Sequence, residues 1–150
     1  MELQAITINR RAYHDYLIED TLEAGLVLTG TEIKSIRLGR MHLRDSFARP
    51  EAGELWLVGA HIARYEQGGR YNHEPSRPRK LLLHKEEILK LSLMVEKKGL
   101  TLVPLKVYLK RGVAKVELGV ARGKKLHDKR RSITQRETER EMERVMKARK

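Results

Sequence analysis

The sequence predicts a mainly β protein: a small antiparallel barrel, closed or nearly closed, of about six strands with peripheral helices and a basic C-terminal tail. Three observations predict it. Short apolar alternations recur through residues 1–121, separated by turns that carry glycine or proline. About six such strands around one core in a chain this short is the pattern of a small barrel. From Arg122 onward the composition changes: residues 122–150 hold 12 Lys or Arg and 5 Asp or Glu, and their only larger apolar side chains are Leu126, Ile133, Met142, Val145 and Met146. That stretch buries too little apolar surface to offset the entropy of ordering its backbone. The chain therefore divides into a barrel domain, 1–121, and a tail, 122–150.

The elements follow in order. His14–Asp20 sets Tyr16 and Ile18 to one side and reads as a half-buried strand. Gly25 reads as a turn, with a further strand at Leu26–Leu28. Thr29 and Glu32 stand at capping-box spacing, Ile33 and Ile36 are one helical step apart and Gly39 is a stop, so a short helix is expected over 31–38. Ser46–Arg49 and Leu55–Ile62 read as two arms of a hairpin turning at Pro50–Gly53. Arg64–Lys80, with two Gly and two Pro, shows no periodicity; structureless loops that long are usually functional or disordered. Glu86 and Glu87 in a first turn, Lys97 and Lys98 in a last turn and Gly99 after them frame a helix, with Ile88, Leu91 and Val95 on its packing face. Val103, Leu105, Val107 and Leu109 alternate, Arg111-Gly112 turns, and Val116, Leu118 and Val120 alternate again, giving the clearest hairpin. Pro104 marks an edge or a bulge in its first arm.

The net charge is +12, of which the tail carries more than half. That balance favours nucleic acid or an anionic membrane as partner, with solubility alone as the bland alternative. One Trp, one Phe and five Tyr are too few for a platform that stacks many bases, so folded RNA fits better. With no cysteine, disulfides, thiol nucleophiles and cysteine-based zinc sites are excluded. No apolar run reaches transmembrane length and residues 1–9 hold no signal-peptide core, so a cytoplasmic protein with no membrane partner is expected. His14, His42, His61, His73, His84 and His127 form no HxH or HExxH pair, and neither a phosphate loop nor a nucleophile elbow occurs. No metal, cofactor or catalytic residue is expected.

Basic loop and tail chemistry remains. In the long loop, Arg64, Arg70, Arg77, Arg79 and Lys80 surround Tyr65 and Tyr71. Arginines fork onto phosphates and tyrosines stack on exposed bases; a solvated loop is the alternative. In the tail, Arg136, Arg140 and Arg144 recur at i, i+4, with Lys147 a further step on. As a helix this is one basic stripe, whose self-repulsion opposed phosphates would remove. A solvated charged helix explains the composition but not the aligned arginines. These features leave open a generic RNA-binding barrel anchored by its tail, and a nuclease or RNA-modifying enzyme.

The blocks NRRAYHDYLIED, EAGLVLTGTEIKSIRLGR, DSFAR, SRPRKLLLHKEEI, GLTLVPLKVYLKRG, KVELGVARGKK and HDKR, in this order along nearly the whole chain, resemble the bacterial small protein B family, the SsrA-binding proteins. The resemblance implies an oligonucleotide-binding-type barrel and a monomer that is not an enzyme. It implies binding to the elbow of the tRNA-like part of transfer-messenger RNA. The pair, delivered with elongation factor Tu, would then enter a stalled 70S ribosome for trans-translation and tagging of the incomplete chain. Residue by residue, it implies RNA contact at His14, Glu23, Leu82 and His84, the last varying to asparagine in some members. It places Lys124, Lys125, His127, Asp128, Lys129 and Arg130 at the decoding centre and message path. Val145 and Met146 stand where other members carry an Ile-Met pair. It further implies a tail that is unstructured alone and helical in the empty message channel, where 16S ribosomal RNA phosphates would face Arg136, Arg140 and Arg144.

Overall fold

The computed structural model of the protein describes residues 3–123. The chain order is β1 (Leu3–Ile8), α1 (Arg10–Asp15), β2 (Tyr16–Leu26), α2 (Gly30–Arg37), β3 (Met41–His42), β4 (Phe47–Glu51), β5 (Glu54–Val58), β6 (His61–Ile62), β7 (Arg79–Leu82), α3 (Lys85–Lys98), β8 (Thr101–Lys110) and β9 (Val113–Gly123), with a 3-10 segment at Glu66–Tyr71 between β6 and β7. All strand pairings are antiparallel. The circuit β8-β4-β5-β7-β2-β9 returns to β8, so six strands close into a barrel, with β1 as an added stave on β8 and β3–β6 as a separate two-stranded ribbon.

Inward residues alternate as strand geometry requires. Leu55 and Leu57 of β5, Leu81 of β7, Leu102 and Val107 of β8, and Val116 and Leu118 of β9 are fully buried inside the barrel, whereas Leu105, the bulge residue, is buried on the other face with Ala12, Val103 and Ala121. Ile36 of α2 joins the barrel core, and α3 contributes Ile88 and Leu91. The β8–β9 hairpin turns on Arg111 (φ 54°) and Gly112 (φ 77°), and β4–β5 on Ala52 (φ 52°) and Gly53 (φ 77°). Two left-handed residues in a row make the type I′ turn whose twist matches the flanking strands. The expected barrel, the capping box of Thr29 and Glu32, the helix framed by Glu86 and Gly99, and the bulge beside Pro104 are all present.

Pro104 lies where β8 changes neighbours. Its second edge meets β4 at Leu102 and β1 from Lys106 onward. Asn9 fills that seam. Its Nδ2 donates to the carbonyls of Pro104 (2.9 Å) and Leu43 (3.3 Å), its Oδ1 accepts from Ala12 N as the N-cap of α1, and its own N–H donates to Leu105 O (2.7 Å).

Several expectations are corrected. His14 and Asp15 close α1 rather than opening a strand, because Asn9 caps a turn there. Gly25 is no turn: β2 runs unbroken from Tyr16 to Leu26. Pro50 belongs to β4, whose other edge meets β8 only at Ala48, so its missing N–H interrupts no ladder there. The second arm ends at Val58, because Gly59 (φ 85°) turns the chain so that His61–Ile62 pairs with β3 instead. There His42 stacks on His61, the ring centroids 4.7 Å apart. β9 continues to Gly123, and Arg122 Nε donates to Glu19 Oε1 at 2.5 Å.

The largest correction concerns residues 64–80. Arg79 does not face solvent; it is completely buried, as is Glu32. Arg79 Nε donates to Glu32 Oε2 (2.6 Å), Nη1 to Ala60 O (2.8 Å) and Nη2 to Pro75 O (3.0 Å). Arg77 forks onto the same carboxylate, Nε to Oε2 at 3.0 Å and Nη2 to Oε1. Thr29 N also donates to Oε1 (2.8 Å). Both arginines are therefore committed within the protein. Burial pushes the Glu32 carboxyl upward, but the hydrogen bonds from Arg77, Thr29 and Arg79 outweigh it and hold it below the usual range.

Two tests follow from this architecture. Ala52→Asn, which accepts the left-handed conformation more readily, raises stability by about 0.5–1 kcal/mol, read as a higher urea midpoint at unchanged slope; an unchanged or lower midpoint sinks the turn assignment. Glu32→Gln leaves the Arg79 charge buried without its counter-ion and costs about 3 kcal/mol. In the wild type, Glu32's contribution is fully present above the unfolded carboxyl value and lost as pH falls through the lower folded one. The variant's acid-unfolding curve is correspondingly flatter; parallel curves would contradict this.

Candidate nucleic-acid interface

One open cavity of about 350 Å³ brings together three of the RNA-contact positions expected from the sequence: Glu23, Leu82 and His84. Gly25, Leu83, Glu87 and Lys115 complete its lining. The strand register builds it. Gly25 of β2 lies opposite Leu82 of β7 on one side and Lys115 of β9 on the other. A Cβ on Gly25 would stand 3.2 Å from Leu82 Cβ, so the glycine lets Leu82 lie close across β2. Leu82 points outward and is 53% exposed, while its neighbour Leu81 is fully buried. His84 is the N-cap of α3, where Glu87 Oε1 reaches back to its N–H at 3.2 Å.

Glu23 is held by Tyr108, whose hydroxyl donates to Oε2, and by Lys110, whose Nζ is 3.6 Å from Oε1. The Tyr108 hydrogen bond is the main reason the Glu23 carboxyl lies below its ordinary range; Lys110 and Lys115 add to it against a desolvation penalty. Burial and the neighbouring carboxylate push the Tyr108 hydroxyl upward, so it stays a donor. The cavity thus offers an ionised acceptor, an apolar shelf, an imidazole and a lysine. A carboxylate accepts from base amino and imino groups, an exposed leucine contacts a base or ribose, and lysine meets phosphate. The lining holds neither a hydroxyl nor a thiol that could act as a nucleophile.

His14 is not part of this site. It sits at the other end of β2, in α1, its side chain 83% exposed and its Nδ1 3.0 Å from Asp15 Oδ1. Lys124, Lys125, His127, Asp128, Lys129, Arg130, Arg136, Arg140, Arg144, Val145 and Met146 lie outside the described residues. Tyr108 and Lys115 escaped the sequence reading. The Arg111-Gly112 turn sets the register of β9 against β8 only, so neither the place of Lys115 opposite Gly25 nor the Tyr108–Glu23 bond left a sequence signal. Among the described residues, no group of three or more His, Cys, Asp or Glu could hold a metal ion.

Residues 6–148 match the family described as SmpB protein. The chain belongs to the SmpB family. An SsrA-binding protein of Desulfitobacterium hafniense is 61% identical over 142 residues, covering 95% of this chain and 91% of the relative. The SsrA-binding protein of Carboxydothermus hydrogenoformans is 60% identical, covering 96% and 97%. That of Geobacillus kaustophilus is 60% identical, covering 99% and 96%. A solved chain described as "tmRNA-SmpB: a journey to the center of the bacterial ribosome" superposes with a TM-score of 0.67 at 58% identity, covering 79% of this chain and 83% of that one. The barrel and its helices are those of an SmpB protein, as the sequence blocks implied.

Tyr108→Phe removes the largest influence on Glu23. Its carboxyl titration, followed by NMR, moves up toward the ordinary value. An unmoved titration would show that the lysines alone set it.

Proposed function

We propose that this chain binds the tRNA-like part of transfer-messenger RNA through the Glu23–Leu82–His84 cavity and enters stalled ribosomes with it, so that incomplete proteins are tagged. The observation that carries the reading is the convergence of those three side chains in one open site around an ionised carboxylate. Family membership and the likeness to a chain described with tmRNA and the bacterial ribosome support it. The chain acts by binding and positioning, without turnover of its own. It works in the cytoplasm, and elongation factor Tu delivers the RNA it holds. Among the described residues no helix is long and apolar enough to cross a membrane.

The tail has a separate task. Lys124, Lys125, His127, Asp128, Lys129 and Arg130 act at the decoding centre, and the Arg136–Arg140–Arg144 row with Val145 and Met146 occupies the message channel when no message fills it. His14 contacts RNA from a second position at the far end of β2.

The test is binding to the tRNA-like domain at physiological salt with excess bulk tRNA. The full chain, a chain ending at Gly123, and Glu23→Ala with Leu82→Ala are compared. The truncated chain retains selective binding, and the double variant loses about tenfold or more, roughly 1.4 kcal/mol. Arg136, Arg140 and Arg144 all changed to Glu spare this binding and abolish tagging. Loss of affinity on truncation, with no selectivity in the full chain, would show a generic basic anchor instead.

A further inference from the structure

The loop between β6 and β7 carries charge and aromatic surface that the cavity does not use. Its arginines divide into two sets. Arg77 and Arg79 are spent on Glu32, whereas Arg64 and Arg70 are exposed. Tyr71 is 80% exposed, more than any other large apolar or aromatic side chain among the described residues, and the Arg70 guanidinium lies 5.2 Å from its ring centroid. Lys34 of α2 stands 5.5 Å over the Tyr65 ring. Arg37 follows one turn on, also exposed. Glu66, an opposing charge in the same loop, is paired with Arg40 at 3.2 Å.

This surface is held rigid. Asn72 closes the loop on itself: Oδ1 accepts from Tyr65 N (3.1 Å) and His73 N (3.2 Å), and Nδ2 donates to Tyr65 O (2.6 Å). His73, buried, joins the Thr31 hydroxyl (2.8 Å) to the Ile62 carbonyl (2.9 Å). Gly68 lies so close to α2 that a Cβ there would stand 3.0 Å from Thr31 Cγ2 and from Asn72 Nδ2. Ser35 Oγ donates to Ala63 O at 2.6 Å. Tyr71 is thus an aromatic ring displayed in water by a built support.

We infer that α2 and this loop form a second RNA-contact surface, in which an unstacked nucleotide lies against Tyr71 and Arg70 while Lys34, Arg37 and Arg64 meet its flanking phosphates. The inference rests on the RNA-binding reading above and adds a site to it. The chemistry is that of single-strand recognition: a base stacks on an aromatic or guanidinium plane, cations follow the backbone, and base identity matters little. The loop runs directly into β7, whose last residue, Leu82, lines the Glu23–Leu82–His84 cavity.

The test uses the full chain with Tyr71→Leu, Tyr71→Phe and Arg70→Ala, beside Glu23→Ala with Leu82→Ala. Binding is measured to the tRNA-like domain and, separately, to ribosomes. Stacking on one base is worth roughly 5- to 100-fold, so Tyr71→Leu weakens binding to one of the two by at least about fivefold, and Tyr71→Phe restores it. Loss confined to the tRNA-like domain assigns the nucleotide to transfer-messenger RNA. Loss confined to ribosomes, with a crosslink from residue 71 to RNA, assigns it to ribosomal RNA; a crosslink to ribosomal protein overturns the inference. Unchanged binding of all loop variants, while the cavity variant weakens, overturns this surface and leaves the proposed function standing. Absence of selective RNA binding by the wild type removes both.

Discussion

The buried carboxylate of Glu32 is the constraint on which the rest of the molecule depends. A charge with no exposure is tolerated only when its lone pairs are met and its sign is balanced. Here four donors do so: Thr29 N, Arg77 twice and Arg79. The same residue caps its own helix and gathers two arginines from the far side of a long loop. Arg79 then carries the order outward to the carbonyls of Ala60 and Pro75. Arg79 also begins β7, so the loop that presents Tyr71 ends, and the strand that presents Leu82 starts, at one anchored residue. The cavity and the loop both inherit their geometry from this cluster.

The electrostatics of the cavity differ from those of a simple basic patch. Cations give affinity for any phosphate backbone. A carboxylate placed among them repels that backbone and rewards only a partner that brings a donor to it. Tyr108 keeps Glu23 ionised without supplying a positive charge of its own, so the carboxylate stays an acceptor while Lys110 and Lys115 temper its repulsion. In the proposed site, affinity and discrimination thus reside in different side chains.

Much of the fold was legible because its signals are local. The helix Lys85–Lys98 announces itself through acidic and basic turns and Gly99, and the β8–β9 hairpin through strict alternation around Arg111-Gly112. α1 was not legible: six residues, of which only Ala12 is buried, leave no periodicity. Gly25 looked like a turn because glycine also serves where another strand comes close, and sequence does not separate the two uses. The loop looked structureless because much of its order comes from residues 29–35, remote in the chain, and from single side chains such as Asn72 that leave no periodicity. In the cavity, Glu23, Leu82 and His84 were reached through family resemblance. Periodicity alone would have sent Leu82 to the core with Leu81 and Leu83, since three consecutive leucines do not reveal which one faces out.

The return of β9 onto β2 has a kinetic meaning. Residue 16 pairs with 123 and residue 25 with 115, so a ladder as long as that of the β8–β9 hairpin joins the early and late parts of the body. Loop entropy must be met before any of those bridges forms, which slows folding for topologies of this kind. During synthesis β2 waits with an open edge until β9 has been made. The barrel is therefore an all-or-none object, acquired late and at once, and the anchored ends of β7 take their final spacing only when the last stave is in.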